Sequence, residues 1–371
     1  MAALKHIDEY RDKQLVANLV KAIEASVTRS WNIMEICGGQ THSIMRYGLQ
    51  DLLPQQIKLI HGPGCPVCVT PVELIDLAVE LASRPNVILV SFGDMLRVPG
   101  TRDDLLSVKA RGGDVRMVYA PLDALDIAER APEKEVVFFG VGFETTAPAV
   151  ALAMKQAKKK ALPNFSVLVS HVLVPPAMEA LLDDNHNRID GFLAAGNVCT
   201  VMGTGLYVPL ASKYNIPIVV TGFEPVDILL GIRKCIAMLE DKRPGVENAY
   251  ARSVRPEGNR AAQELLGEVF VRGDRNWRGI GTIPGSGLEL SGAYRDFDAM
   301  EKLHLQVRAS KQAGPCIAGE ILTGRKIPSQ CSAFGTLCKP ENPLGAPMVS
   351  TEGACAAYYK YRGQTRQNSK T

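Results

Sequence analysis

Three thiols and two imidazoles fall within one stretch, Cys37 to Cys68, which opens C-G-G-Q-T-H-S and closes H-G-P-G-C-P-V-C. Cysteine is the soft, nucleophilic, metal-binding side chain. Glycines beside it let the backbone bend sharply and approach a ligand closely. The chemistry open to this stretch is thiolate ligation of a metal, dithiol–disulfide exchange, or both. Cys65 and Cys68 form a Cys-x-x-Cys pair just ahead of a predicted helix, with Thr70 as N-cap, Pro71 at N1 and Glu73 at N3. The partial positive charge of a helix start favours thiolate. The pair also reads as half of a zinc site, although no second ligand pair lies close in sequence. Cys37 follows an apolar run and precedes Gly38-Gly39, which would leave its sulfur open to a ligand; the alternative is a small core residue. His42 reads as a ligand, a base or a hydrogen-bonded structural histidine. His61 and His171 present the same choice.

A second set of thiols, Cys316, Cys331, Cys338 and Cys355, lies among polar, turn-forming residues without core periodicity. It reads as one four-thiolate site. Its spacing matches neither paired Cys-x-x-Cys zinc ribbons nor the bacterial ferredoxin run, so zinc and an iron–sulfur cluster both stay open. Cys235 falls on the apolar stripe of a helix predicted over 226–239 and reads as core. Cys199 also reads as a bystander.

The elements that must position these residues are short apolar runs stopped by glycine turns. The runs 32–37, 57–61, 87–92, 115–119, 136–140, 165–169, 189–193 and 216–220 read as buried strands, most of them followed by helix-like segments. Strand, glycine turn and helix in succession predict an α/β fold of parallel sheets with crossover helices. In such sheets binding residues gather at the C-terminal strand ends. Cys37, His61, Asp94, Glu144, His171 and Glu224 all take that position. Acids there are often helix caps or first-turn charges, and their common placement lifts Asp94, Glu144 and Glu224 modestly above that reading. The tripeptide Gly-Phe-Glu at 142–144 and again at 222–224 hints at two similar lobes. Helices are expected over 10–26 and 257–269. After about residue 242 the texture changes, and the glycine-rich stretch 272–298 has no helical period. The expected division is lobe I over 28–125, lobe II over 126–242, and a third domain from 1–27 with 243–371.

Hydrophobic content of 46% and charged content of 22% lie in the globular range, which argues against large-scale disorder. A net charge of +3 with dispersed signs gives nucleic-acid binding no support. No run is apolar enough to span a membrane, and the N-terminus lacks a signal-peptide core, so a cytoplasmic location is expected. Nine cysteines in such a chain point to metal or redox chemistry rather than a disulfide framework.

Taken in order, C-G-G-Q-T-H (37–42), G-P-G-C-P-V-C (62–68), F-G-D-M-L-R-V-P-G (92–100), G-F-E-T-T (142–146), G-F-E-P-V-D (222–227), G-E-I-L-T-G (319–324), Q-C-S-A-F-G-T-L-C-K-P (330–340) and S-T-E-G-A-C-A-A-Y (350–358) resemble the HypD family of NiFe-hydrogenase maturation proteins. The resemblance covers nearly the whole chain. It implies two α/β lobes and a smaller, irregular third domain carrying a 4Fe–4S cluster. It implies a scaffold that pairs with a small HypC-type chaperone and holds a transient iron while that iron gains two cyanides and one carbon monoxide, the Fe(CN)2CO group. Cyanide arrives from HypE as a thiocyanate made with HypF. By motif, Cys37 resembles the iron ligand with His42 beside it, Cys65 and Cys68 the redox-active pair, and Cys316, Cys331, Cys338 and Cys355 the cluster ligands. Asp94 and Glu144 join them as candidate catalytic residues. Some family members carry histidine where this chain has Gln40, which puts iron ligation at that position in doubt here. The expectation is an electron path from the cluster through Cys65/Cys68 to iron at Cys37. Two other readings are an iron–sulfur thiol–disulfide reductase acting on a protein, for which Cys37 would have no use, and a structural zinc protein.

Overall fold

The computed structural model describes residues 7–308 and 314–368. Short runs rich in β-branched residues form nine parallel strands, because a strand buried on both faces needs apolar side chains on both. These are β1 (Trp31–Glu35), β2 (Ile57–His61), β3 (Val87–Ser91), β4 (Val115–Met117), β5 (Glu135–Gly142), β6 (Phe165–His171), β7 (Gly191–Ala195), β8 (Pro217–Thr221) and β9 (Gly245–Asn248). They make two sheets, ordered β2-β1-β7-β8-β9 and β4-β3-β5-β6, each parallel throughout. The α/β class and the two parallel lobes agree with expectation.

Strand membership differs from the expected division. The chain lays down β1 and β2, leaves to build the whole second sheet, and returns to complete the first with β7, β8 and β9. A boundary at 125/126 therefore falls inside the second sheet, between β4 and β5. Residue order could not reveal this, because β1 pairs on one side with its neighbour β2 and on the other with the distant β7. The N-terminal helix Lys13–Ser26, capped by Asp12 accepting from Leu15 N–H at 2.7 Å, packs on helix Pro225–Glu240 of the first sheet. Leu19 and Ile23 enter that lobe's core with Cys235, so the described residues 7–27 do not side with the C-terminal region.

The stretch expected only to lack helical period forms an antiparallel hairpin, β10 (Phe270–Trp277) with β11 (Gly281–Leu290). It follows helix Arg260–Val269, capped by Asn259, and bridges to the end of β6 through Val172 and Gly287. The described part of the C-terminal region, from residue 314, holds the short helix Ala318–Leu322, several turns and helix Ala354–Asn368. Among the described residues no helix is long and apolar enough to cross a membrane.

Candidate metal and redox site

Cys37 leaves β1 in extended backbone, φ −150° and ψ 122°, and is the N-cap of helix Gly38–Arg46. The H-G-P-G segment after β2 presses directly on it. Gly38 N–H donates to the Gly64 carbonyl at 2.8 Å, and a methyl group on Gly64 would lie 2.3 Å from the Cys37 nitrogen. Only glycine permits so close an approach. Gln40, buried, donates from Nε2 to the carbonyls of Ala194 and Thr221, each at 3.2 Å. Its amide thus ties the ends of β7 and β8 to the helix behind Cys37.

Beneath Cys37 lies Glu35, fully buried. Oε2 accepts the Cys37 N–H at 3.0 Å; Oε1 accepts from the Thr41 hydroxyl and sits 2.7 Å from His61 Nδ1. Burial pushes the Glu35 pKa up, while the bonds from His61, Thr41 and Cys37 oppose the rise. The Cys37 sulfur lies 3.6 Å from Asn197 Oδ1, on the helix after β7. Burial first, then the carboxylates of Glu352 and Glu35, push the Cys37 thiol up to about 12. Without a cation the group is a neutral thiol; a bound cation would take the place of its proton.

Cys65 and Cys68 form a disulfide, and both are buried. They share one apolar cluster with Cys37 and with Cys199. Their local setting departs from the expected capping box. Cys65 caps a separate single turn, Pro66–Val69, with its sulfur accepting Cys68 N–H at 3.2 Å. Thr70 lies one position before the N-cap of the next helix, which is Pro71, and its hydroxyl donates to the Pro66 carbonyl at 2.9 Å. Glu73 is held by Asn276, and the helix Val72–Ala82 begins after Pro71 without a side-chain cap.

His42 reaches toward the C-terminal segment. Nδ1 lies 3.1 Å from the Thr351 carbonyl and Nε2 lies 3.2 Å from the Tyr361 hydroxyl, so the ring tethers the Cys37 helix to helix Ala354–Asn368. Glu352 sits over Gly38, where an added methyl would meet its Cβ at 2.5 Å. Protein crowded around the Glu352 carboxyl, with Asp94 nearby, pushes its pKa up although the residue keeps an exposed surface. Asp94 pairs with Arg97 at 3.3 Å, and Arg97 donates to the Val349 carbonyl at 3.1 Å.

Glu144 is buried; Oε1 accepts the Val174 N–H at 2.9 Å, and Oε2 has no hydrogen-bond partner among the described residues. Burial pushes its pKa up to about 7. His171 is fully buried with neither ring nitrogen bonded among the described residues, and burial drives its pKa down to about 3, which keeps it neutral. Its ring packs against Gly142 and Phe270. Glu224 serves elsewhere, paired with Arg11 through Nη2 at 2.8 Å.

The four C-terminal cysteines line one small cavity with Phe334, Pro347 and Met348. Burial, with the neighbouring thiols, pushes the Cys355 and Cys338 pKa values up. Among the described residues no three histidine, cysteine or acidic side chains converge as on a single ion. Ala346–Met348 is a shared wall: the Pro66–Val69 turn packs on one side and the cavity opens on the other. Helix Gly38–Arg46 packs along helix Ala354–Asn368, which carries Cys355. The two thiol groups of the sequence therefore abut.

Sequence reasoning missed Glu35, Asn197 and Glu352. Glu35 carried a signal, an acid inside the short apolar strand W-N-I-M-E. Asn197 and Glu352 acquire meaning only from the residues that fold against them.

The family model HypD, described as "Hydrogenase formation hypA family", matches residues 14–362. The chain is 46% identical over 375 residues to "Hydrogenase maturation factor HypD" of Azotobacter vinelandii, covering 98% of each protein. It is 47% identical to the protein of that name in Rhodobacter capsulatus, covering 97% of this chain and 99% of the relative. It is 45% identical to the one in Escherichia coli (strain K12), again covering 97% and 99%.

Proposed function

Because the chain belongs to the HypD family of hydrogenase maturation factors, we propose that it is the scaffold on which the Fe(CN)2CO group of a NiFe hydrogenase is assembled, together with a HypC-type small chaperone and with HypE as cyanide donor. The observation that carries this reading is the common burial of Cys37 with the Cys65–Cys68 pair, against the wall of the four-cysteine cavity. A reductase needs the pair; it does not need a third thiol braced by Glu35 and Gly64.

Iron is the cargo. Burial raises the Cys37 pKa most; the carboxylates of Glu352 and Glu35, which add to the rise, also favour a cation, and ligation releases the thiol proton. The resulting thiolate is a soft ligand suited to iron that will carry cyanide and carbon monoxide. Gly64 and Gln40 fix where the sulfur points. Asn197 Oδ1, 3.6 Å from that sulfur, accepts the thiol hydrogen until iron arrives.

Cyanide release from a thiocyanate R–S–C≡N is a two-electron reduction. In the dithiol state, one thiol of the pair attacks the thiocyanate sulfur, the S–C bond breaks, and cyanide leaves for iron. The second thiol resolves the mixed disulfide, giving R–SH and the Cys65–Cys68 disulfide; the second thiol proton is released to solvent. Restoring the dithiol takes two electrons and two protons.

Cys316, Cys331, Cys338 and Cys355 would hold a 4Fe–4S cluster. Support comes from four soft donors lining one small, apolar cavity. A cluster there supplies one-electron transfer from an external reductant.

The test is anaerobic purification with the small chaperone and infrared spectroscopy. Cyanide and carbonyl stretching bands that vanish in Cys37→Ala are expected. Disulfide reduction that survives Cys37→Ala, with no such bands in the wild type, would overturn the proposal in favour of the reductase.

A further inference from the structure

The hairpin β10–β11 has no part in the chemistry described so far, yet its tip lies between the two thiol centres. Trp277, fully buried, anchors it through Nε1 to Ser286 Oγ at 2.9 Å. The next residue, Arg278, donates its backbone N–H to the carbonyl of Val69 at 2.8 Å, one position beyond Cys68. Gly279 then meets the helix Ala318–Leu322 so closely that a methyl on Gly319 would lie 2.2 Å from the Gly279 carbonyl oxygen. That helix starts two residues after Cys316. The tip is therefore clamped on one side by the dithiol turn and on the other by the segment carrying a thiol of the four-cysteine cavity.

The side chain at this position is a cation with only 4% of its surface exposed. One terminal nitrogen, Nη2, donates to the Pro99 carbonyl at 3.1 Å. Burial lowers the Arg278 pKa to about 10, opposed by the fields of Cys316 first and then Asp76 and Glu73. It remains charged at neutral pH. Asp76 also accepts the Thr101 N–H at 2.7 Å, and Glu73 also binds Asn276. Arg278 and Cys316 line the same groove. A guanidinium buried so deeply is unfavourable unless negative charge lies close.

We infer that Arg278 is the charge-balancing residue of the four-cysteine site: its guanidinium, buried between the dithiol turn and Cys316, stabilises the added negative charge when the iron–sulfur group held there is reduced. The inference rests on the cluster reading given above. Its physical basis is Coulombic, since a fixed cation in a low-dielectric site favours the more negative redox state and raises the reduction potential. The one-electron reductant that feeds the site is external. Arg278 itself is neither oxidised nor reduced, and it gives up no proton.

The experiment uses the full chain, reconstituted anaerobically with iron and sulfide, as wild type, Arg278→Lys and Arg278→Gln. Iron and sulfide content is measured first, then the midpoint by redox titration followed by electron paramagnetic resonance. In Arg278→Gln the reduced-to-oxidised ratio at the wild-type midpoint should fall about tenfold, about 59 mV for one electron. Arg278→Lys keeps the charge and should stay within about twofold of wild type. An unmoved midpoint in Arg278→Gln overturns the inference, as does a Lys variant displaced as far as the Gln variant, which would mark a packing role. If Arg278→Gln fails to retain iron and sulfide, retention by Arg278→Lys supports charge balance, and loss by both overturns it. A wild type that binds no iron and sulfide overturns the cluster reading itself, which separates that failure from this one.

Discussion

The backbone N–H of Cys37 donates to the carboxylate of Glu35, two residues upstream, at 3.0 Å. The same carboxylate takes the Thr41 hydroxyl and lies against His61, so one buried acid gathers the end of β1, the helix after it and the end of β2. Glu35→Gln keeps the size but turns one acceptor into a donor facing donors. A loss of about 2 kcal/mol is expected from mispaired buried groups. Urea unfolding reads the loss, and faster alkylation of Cys37 in the native state reads the loosened strand end. Wild-type values in both would sink the bracing role.

Gly64→Ala places a methyl 2.3 Å from the Cys37 nitrogen and 2.4 Å from its Cα. Backbone on both sides leaves nothing flexible to yield, so about 3 kcal/mol of destabilisation is expected. Gly267→Ala is the control, because nothing lies within 4 Å of its added methyl. Equal melting temperatures for the two variants would refute the close-approach argument.

Glu144 makes stability depend on pH in a defined direction. Its folded pKa of about 7 stands above its ordinary value, so the folded state binds the proton more tightly than the unfolded chain does. Stability from this group is fully present below the ordinary carboxylate pKa and is lost as pH rises through about 7. The loss amounts to about 3 kcal/mol by pH 8. Glu144→Gln retains an acceptor for the Val174 N–H and should flatten that dependence. Urea titrations at pH 5 and pH 8 measure it; a variant with the wild-type slope would show that Glu144 is not the source.

His42→Ala removes two hydrogen bonds between the Cys37 helix and the C-terminal segment. About 1–2 kcal/mol is expected, with faster amide exchange concentrated in 354–361. Exchange unchanged there would show that the ring does not tether the helix.

Much of the site was legible in order of appearance. The predicted strand ends do carry Cys37, His61, Asp94, Glu144, His171 and Glu224, because a glycine after an apolar run is a local stop signal. The capping box at Thr70 was misread because the helix begins later than expected, at Val72 with Pro71 as its N-cap, which leaves Thr70 outside it. Cys199, read as a bystander, is a buried residue of the apolar cluster that also holds Cys37, a neighbourhood its sequence position did not announce.

By itself the sequence determined the α/β class, eight of the parallel strands (β1 to β8) and the two sets of thiols, since residue type and short-range periodicity decide those. Only the tertiary structure decided that β1 pairs with β7, that Glu35 sits under Cys37, and that the cavity of Cys316, Cys331, Cys338 and Cys355 shares a wall with the Cys65–Cys68 turn. Those relationships join residues far apart along the chain. They are selected by the burial and hydrogen bonding of the whole fold, which no local stretch encodes.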